Sequence, residues 1–457
     1  MRLPDTPIVR RAPLRPLLAH ELRQIVGGRA LWTMLLLVCP LIGYSFFQAM
    51  SLYSEASESA RQSPVLAASL SPLDGILVPT FGAFYVAVTL LFPFVVIRVL
   101  GHEKETGALR LLVQLPYRPT TLIGAKLAAV LAAWLLAFLP ALSALAVWRV
   151  MGGHLSAAET LTLLFGHLLY GSLVGAIALF AAAVSESAAT AAIVTLAFTI
   201  GSWVLDFTVA GRPGLFEWIA LLSLTQTLRP FEQGLLSIGL ALGIAAVIAG
   251  FAALATIWLP PGVATRSKVL RSALCVVTVA VVLASIVPFR LSFDVSADRR
   301  NSFSLADEQA FAKLTAPLVI TARFIPEDPR YIDLNRNVLA KLERAMPDVS
   351  IRLTASRQST TSDDSYGEVA YRYGGRTDTS RSTSPREILP LLYDLAGVPP
   401  PEPIPGADYP GYPLAAEPAY ALPWFFAALP LLIGFGWWRS CSPPSKKLIK
   451  RLKEIPR

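Results

Sequence analysis

Arg98-Val99-Leu100-Gly101-His102-Glu103-Lys104-Glu105-Thr106-Gly107-Ala108-Leu109-Arg110-Leu111-Leu112-Val113-Gln114-Leu115-Pro116 separates two long apolar runs. Carboxylates, basic side chains and a histidine gather there in a chain that is otherwise mostly hydrocarbon. Flanked in this way, the stretch reads as a loop at a membrane face. Gly107 breaks the run, and Ala108 to Leu115 then gives about two helical turns. Pro116 stops them, because a ring without an N–H cannot continue the ladder. The expectation is a short amphipathic helix on the cytoplasmic surface, shaped to be gripped by another protein.

The segments on either side justify the word membrane. Of 457 residues, 54% are hydrophobic and only 16% charged, a composition that belongs to a polytopic membrane protein. Windows of about 20 apolar residues place eight spans: Ala30–Met50, Leu77–Val99, Leu122–Val147, Leu161–Val184, Ala188–Val209, Leu235–Leu259, Leu270–Phe289 and Leu422–Trp438. The net charge of +9 does not call for nucleic acid. The basic residues sit at span ends and in the 439–457 tail, where topology and anionic lipid account for them.

Lys and Arg in the short loops set the orientation. The N-terminal arm, the 98–126 loop, the 260–271 loop and the tail fall on one side of an eight-span chain, and the opposite short loops hold only Arg61, Arg149, Arg212 and Arg229. The positive-inside rule then puts both termini in the cytoplasm. In residues 1–29, Leu17, Leu18, Leu22, Ile25 and Val26 oppose Arg15, Glu21, Arg23 and Gln24. That stripe predicts a helix lying in the interface.

Glu103-Lys104-Glu105-Thr106-Gly107-Ala108-Leu109, then Leu115-Pro116, then Gly124-Ala125-Lys126 opening the next span, resembles the Glu-x-Glu-x-Gly-(Thr/Ala)-Leu loop of the type-2 class of ABC export permeases. The resemblance implies a coupling helix that docks in a groove of a separate ATPase subunit. Glu103 and Glu105 would anchor the loop, with Gly107, Pro116 and Lys126 completing the pattern, and Leu109, Leu111 and Leu112 would pack in the ATPase groove. The tight turn Ser185-Glu186-Ser187 matches the second inner loop of that family. Residues 224–234 are similar to its re-entrant outer segment but lack the Ser-Pro that often opens it, so an ordinary interfacial loop is the competing reading. For the 98–116 stretch itself the competing reading is a solvated charge cluster placed by the positive-inside rule.

Residues 291–420 change character, with shorter apolar runs and more Ser, Thr, Asp and Arg. Ser304 to Asp307 is a capping-box variant ahead of a helix to about Leu314. Strands are predicted at 317–324, 349–354 and 368–373, and helices at 328–345 and from Ser384-Pro385 to about Leu395. The order predicts a small extracytoplasmic α/β layer domain. Residues 355–366 read as a mobile loop, and 398–420, dense in Pro and Gly, as a stiff linker to the last span. The opening Phe293-Asp294 through Asp298-Arg299 to Ser302-Phe303-Ser304-Leu305 resembles the head of the gliding-motility-type auxiliary subunit. The resemblance implies a fusion of permease and auxiliary subunit in one chain.

Several chemistries lack their residues. No Gly-Lys dipeptide exists, so no Walker A loop does. His20-Glu21 and His102-Glu103 begin a zinc-protease motif, but Gln24 and Thr106 stand where its second histidine belongs. Four histidines and three cysteines form no metal pattern, and Cys39, Cys275 and Cys441 suggest no disulfide. Ion-coupled transport needs carboxylates near mid-bilayer. Asp206 and Arg98 lie near span ends, and His167, the deepest ionisable group, reads as a hydrogen-bonded structural histidine rather than a proton relay.

The expected fold is mainly α: a six-span bundle over residues 30–260, plus two spans flanking the α/β domain. The expected protein is the permease subunit of an ATP-driven exporter in a bacterial inner membrane. It would bind no cofactor itself, work with an ABC ATPase in two copies, and pair with a like or unlike permease. A non-transporting scaffold whose outer domain binds an envelope partner is the second reading, and a membrane-embedded enzyme the third.

Overall fold

The computed structural model describes residues 14–209, 223–286, 291–325, 328–346, 348–354, 365–402, 404 and 409–441. Helix α1 (Leu14–Val26) leads into α2 (Arg29–Ala60). A short α3 (Pro64–Ala68) precedes α4, which starts with a π-turn (Leu73–Leu77) and continues to Glu105. Then come α5 (Ala108–Gln114), α6 (Pro119–Ala137), α7 (Leu139–Val150), α8 (Ala157–Val184) and α9 (Ala188–Val209). Helix α10 (Leu224–Glu232) and strand β1 (Leu235–Ser237) lead to α11 (Ile238–Trp258) and α12 (Thr265–Ile286).

Among the described residues, seven helical segments are long and apolar enough to cross a membrane: Arg29–Ala60, Leu73–Glu105, Pro119–Val150, Ala157–Val184, Ile238–Trp258, Thr265–Ile286 and Pro418–Ser440. The chain is thus a mainly helical protein built to be multi-pass. Helix α9 is apolar too, over Ala188–Val204.

Several span boundaries differ from those expected. The first span continues ten residues past Met50, to Ala60. Glu55, Glu58 and Ser59 are exposed while Tyr53, Ser57 and Ala60 are buried, so an apolar window ends before the helix does. The third span is two helices, α6 and α7, that meet at Phe138 beside Pro140, whose missing N–H breaks the ladder. Residues 235–237 are not the start of the sixth span. They form β1, paired antiparallel with β2 (Ser292–Asp294), with Leu235 opposite Asp294 and Ser237 opposite Ser292.

Small residues set how closely the helices approach. A methyl group on Gly171 would fall on the Trp134 ring and one on Gly175 would press on Val130, so α8 lies directly against α6. Gly250 seats Val279 of α12 in the same way. These glycines therefore serve contacts within one chain.

The α/β unit has α13 (Leu305–Phe311), β3 (Leu318–Ala322), and a helical run of α14 (Pro329–Leu334), a π-turn (Asn335–Leu339) and α15 (Ala340–Ala345). Strands β4 (Val349–Leu353), β5 (Val369–Tyr373) and β6 (Arg376–Ser380) follow, then α16 (Pro385–Ala396). The sheet order is β4-β3-β5-β6, with β3 parallel to β4 and the other pairs antiparallel. Leu318, Ile320, Val369 and Tyr371 line its buried face against Val338, Leu342, Ile388 and Leu392. The layer domain was expected; β6 was not. Gly374 and Gly375, at φ 56° and 86°, make the two-residue turn that produces it. The expected loop at 355–366 lies mostly outside the described residues.

The linker is not free. Tyr53 donates to the Tyr412 carbonyl at 2.7 Å, Ser54 to that of Ala416 at 2.7 Å, and the Leu414 N–H donates to Ser57 at 2.9 Å. His154 stacks on Tyr412 with centroids 3.6 Å apart. Its far end becomes the last span, a π-turn (Trp424–Ala428) continuing as α17 (Leu429–Cys441), which lays Phe425 on Gly43 of α2.

Candidate functional site

The stretch 98–116 is helical for its first half, not a loop. Nothing before Gly107 interrupts α4, and His102 to Glu105 complete its last turn. Gly107 at φ 76° makes the first break, in the left-handed region where a side chain is strained. The short helix expected after it is α5. Leu115 is extended, and Pro116 follows.

Three segments meet on one ammonium group. Lys126 of α6 donates to Glu21 of α1 at 2.8 and 3.0 Å, and to Glu103 of α4 at 2.8 Å. All three side chains are 0–1% exposed. The expectation that Glu21 belongs to the polar face of α1 is corrected here: Leu17, Glu21 and Ile25, each four residues on, form the face that is buried. Burial pushes the Glu21 carboxyl above its ordinary range, against the pull of Lys126. Glu103 Oε2 has no hydrogen-bond partner among the described residues. Two carboxylates thus share one cation in a dry site, an arrangement in which losing the cation leaves buried carboxylates without a partner charge.

The turn at Ser185-Glu186-Ser187 joins the same assembly. Lys104 Nζ donates to the carbonyls of Ala182, Ala183 and Ser185 at 2.6, 2.8 and 2.8 Å. A cation thereby caps the C-terminus of α8, where the helix dipole favours it. Ser185 is buried, whereas Glu186 and Ser187 are exposed. Ser187 accepts from the Thr190 N–H at 3.1 Å and so starts α9.

The remaining expected residues divide between inside and outside. Leu109 turns inward with Val113 and packs on the bundle. Leu112 is half-buried, Leu111 is 68% exposed and Leu115 46% exposed. Glu105 and Pro116 are exposed, and Gly107 is half-buried at the hinge between α4 and α5. Helix α5 therefore offers an apolar outer edge of Leu111 and Leu115, flanked by exposed Arg110 and Gln114. Sequence reading singled out Lys104 only as a charge; its role needs the fold. Glu21 carried a signal, a carboxylate at the four-residue spacing of Leu17 and Ile25, which a binary apolar pattern overrides.

The opposite end is also tied together. Residues 224–232 form helix α10, with Leu224, Leu228 and Phe231 buried, and Phe231 rests on Gly166 of α8. The Gly234 carbonyl accepts from Val295, and that of Gln233 from Asn301 at 2.8 Å. Glu159 accepts from the Ala297 N–H at 2.6 Å. Arg300 pairs with Asp298 and Asp74 and donates to Ser71 at 2.8 Å. Residues 294–301 are thus the part that fastens the α/β domain to the bundle. His167 does not make the expected hydrogen bond. It is enclosed by Phe81, Phe84 and Phe138, and Glu232 lies 3.5 Å from Nε2.

No group of three or more metal-ligating side chains occurs among the described residues. Neither a protein-family model, nor a curated protein, nor a solved structure matches the chain.

Proposed function

We propose that the chain is the membrane-spanning permease subunit of an ATP-driven exporter, coupled to a separate ATPase subunit through residues 98–121. The observation that carries this reading is the convergence of α1, α4 and α6 on Lys126, with α5 held on the end of α4. A push on α5 reaches α4 through Gly107, α1 and α6 through the shared ammonium, and α8 through Lys104. Motion delivered at one small surface is thereby distributed over the bundle.

On this reading that surface and both termini are cytoplasmic, and residues 291–420 lie outside a bacterial inner membrane. The chain binds no cofactor, and ATP is consumed by the partner in two copies. A like or unlike permease completes the assembly. Glu103 and Lys126 act inside the protein, while Leu111 and Leu115 offer the surface an ATPase groove would take. Leu111→Asp is expected to abolish co-purification of the ATPase while the variant still elutes as a single folded species. Retention of the partner by that variant would sink the proposal.

The second reading, a scaffold without transport, draws on the clamp at Arg300 and Glu159, which would hold the outer domain in a fixed pose for an envelope partner. ATP-dependent turnover of the purified complex separates the two.

A further inference from the structure

Between α4 and α9, at the end of the bundle that carries α5, lies an open groove of about 330 Å³. One wall is a single stripe of α4, with Phe94, Arg98, His102 and Glu105 at spacings of four, four and three. The other wall is Ala188, Ala189 and Ala192, whose methyl groups leave the space open. Arg98, His102 and Glu105 are exposed, and among the described residues their side chains have no hydrogen-bond or ion-pair partner. The α4 stripe continues away from the groove as Val86, Leu90 and Phe94, which are 44%, 37% and 49% exposed.

We propose that this groove binds an anionic glycerophospholipid of the phosphatidylglycerol type. From Val86 to Arg98 is twelve residues, or about 18 Å of helix, close to the depth of one leaflet of a hydrocarbon core about 30 Å thick. An acyl chain laid along Val86, Leu90 and Phe94 brings its phosphate to Arg98. The guanidinium is permanently charged and offers a planar fork of donors that fits a phosphate. His102, one turn on, adds an imidazole donor. Glu105, the last polar group on the stripe, accepts from a headgroup hydroxyl. Basic pockets between spanning helices at the cytoplasmic side suit such headgroups. The inference needs only that the bundle sits in a bilayer, so it stands or falls separately from the ATPase reading.

The test is native mass spectrometry of the full chain released from nanodiscs of phosphatidylcholine alone or mixed with phosphatidylglycerol. The wild type is expected to retain one phosphatidylglycerol in preference to phosphatidylcholine. Arg98→Ala is expected to bind it at least about tenfold more weakly, the loss of one charge-assisted contact. Arg118→Ala, which alters an exposed arginine outside the groove, is expected to retain it. Equal retention by wild type and Arg98→Ala, or no preference over phosphatidylcholine, overturns the proposal. So does efficient cross-linking of Ala189→Cys to a second copy in native membranes, which would give the groove to another protomer.

Discussion

Lys126 holds two carboxylates in a site that water does not reach. Replacing it with methionine leaves Glu21 and Glu103 buried without their cation, a change that costs about 3–5 kcal/mol when one partner of a buried pair is removed. We expect Lys126→Met to lower the melting temperature in detergent sharply, measured by fluorescence-detected size exclusion. Glu21→Gln, which keeps one carboxylate for the one ammonium, should cost far less. If the two variants melt alike, the shared-cation account is wrong. In the α/β domain, Asp328 accepts from the Arg330 side chain at 3.0 Å, from its N–H at 2.9 Å and from Tyr366 at 2.7 Å. Its carboxyl is held down to about 2, chiefly by the Arg330 side chain. A depressed carboxyl stabilises the fold above the unfolded value of about 3.9 and loses that contribution as pH falls through the folded one. The domain should therefore lose about 1–2 kcal/mol between pH 4 and pH 2, seen as an acid-dependent drop in its melting temperature, and Asp328→Asn should flatten that dependence.

At the scale of elements, α5 owes its direction to Gly107. Its φ of 76° lets α5 start with only Thr106 and Gly107 between it and α4. A β-branched side chain there costs roughly 1–2 kcal/mol, and relief of that strain would swing α5 off the bundle. We expect Gly107→Val to weaken partner co-purification while Gly107→Asn, which tolerates this region, largely keeps it. Equal behaviour of the two would remove the hinge from the account. How far the elements are legible in the sequence follows from what each pattern encodes. Gly107 and Pro116 bound α5 as expected, because a left-handed glycine and a proline act locally. The capping Ser304 likewise starts α13, accepting from the Asp307 N–H at 3.1 Å. The polar tail of α4 was misread as loop because hydropathy marks where hydrocarbon ends, not where hydrogen bonding ends. Strand β1 was absorbed into a span for the same reason: Leu235 and Leu236 are apolar, and only their pairing with residues far along the chain makes them a strand. Strand β6 had a local signal in Gly374-Gly375, but its five polar residues carry no alternation to draw attention to it.

At the scale of the whole molecule, the two ends of the bundle are each fastened by charges from distant parts of the chain. The Lys126 and Lys104 contacts gather α1, α4, α6 and α8 at one end. Arg300, Glu159 and the β1–β2 pair seat the α/β domain at the other. No sequence pattern shows these long-range pairings, whereas the bundle itself is legible from hydropathy alone. Arg300→Ala with Glu159→Gln should release the domain without unfolding it. Hydrogen exchange would then rise in residues 291–304 while the amides of β3 and β5 stay protected; unchanged exchange in that segment would show that the clamp does not hold the domain. The central claim is that a bundle without nucleotide chemistry of its own takes its motion from a partner seated on α5. It is tested most directly by ATP turnover of the complex purified through this chain and returned to lipid. The account predicts hydrolysis by the complex, none by the isolated polypeptide, and none in the fraction purified through Leu111→Asp; hydrolysis by the polypeptide alone, or full turnover with Leu111→Asp, would contradict it.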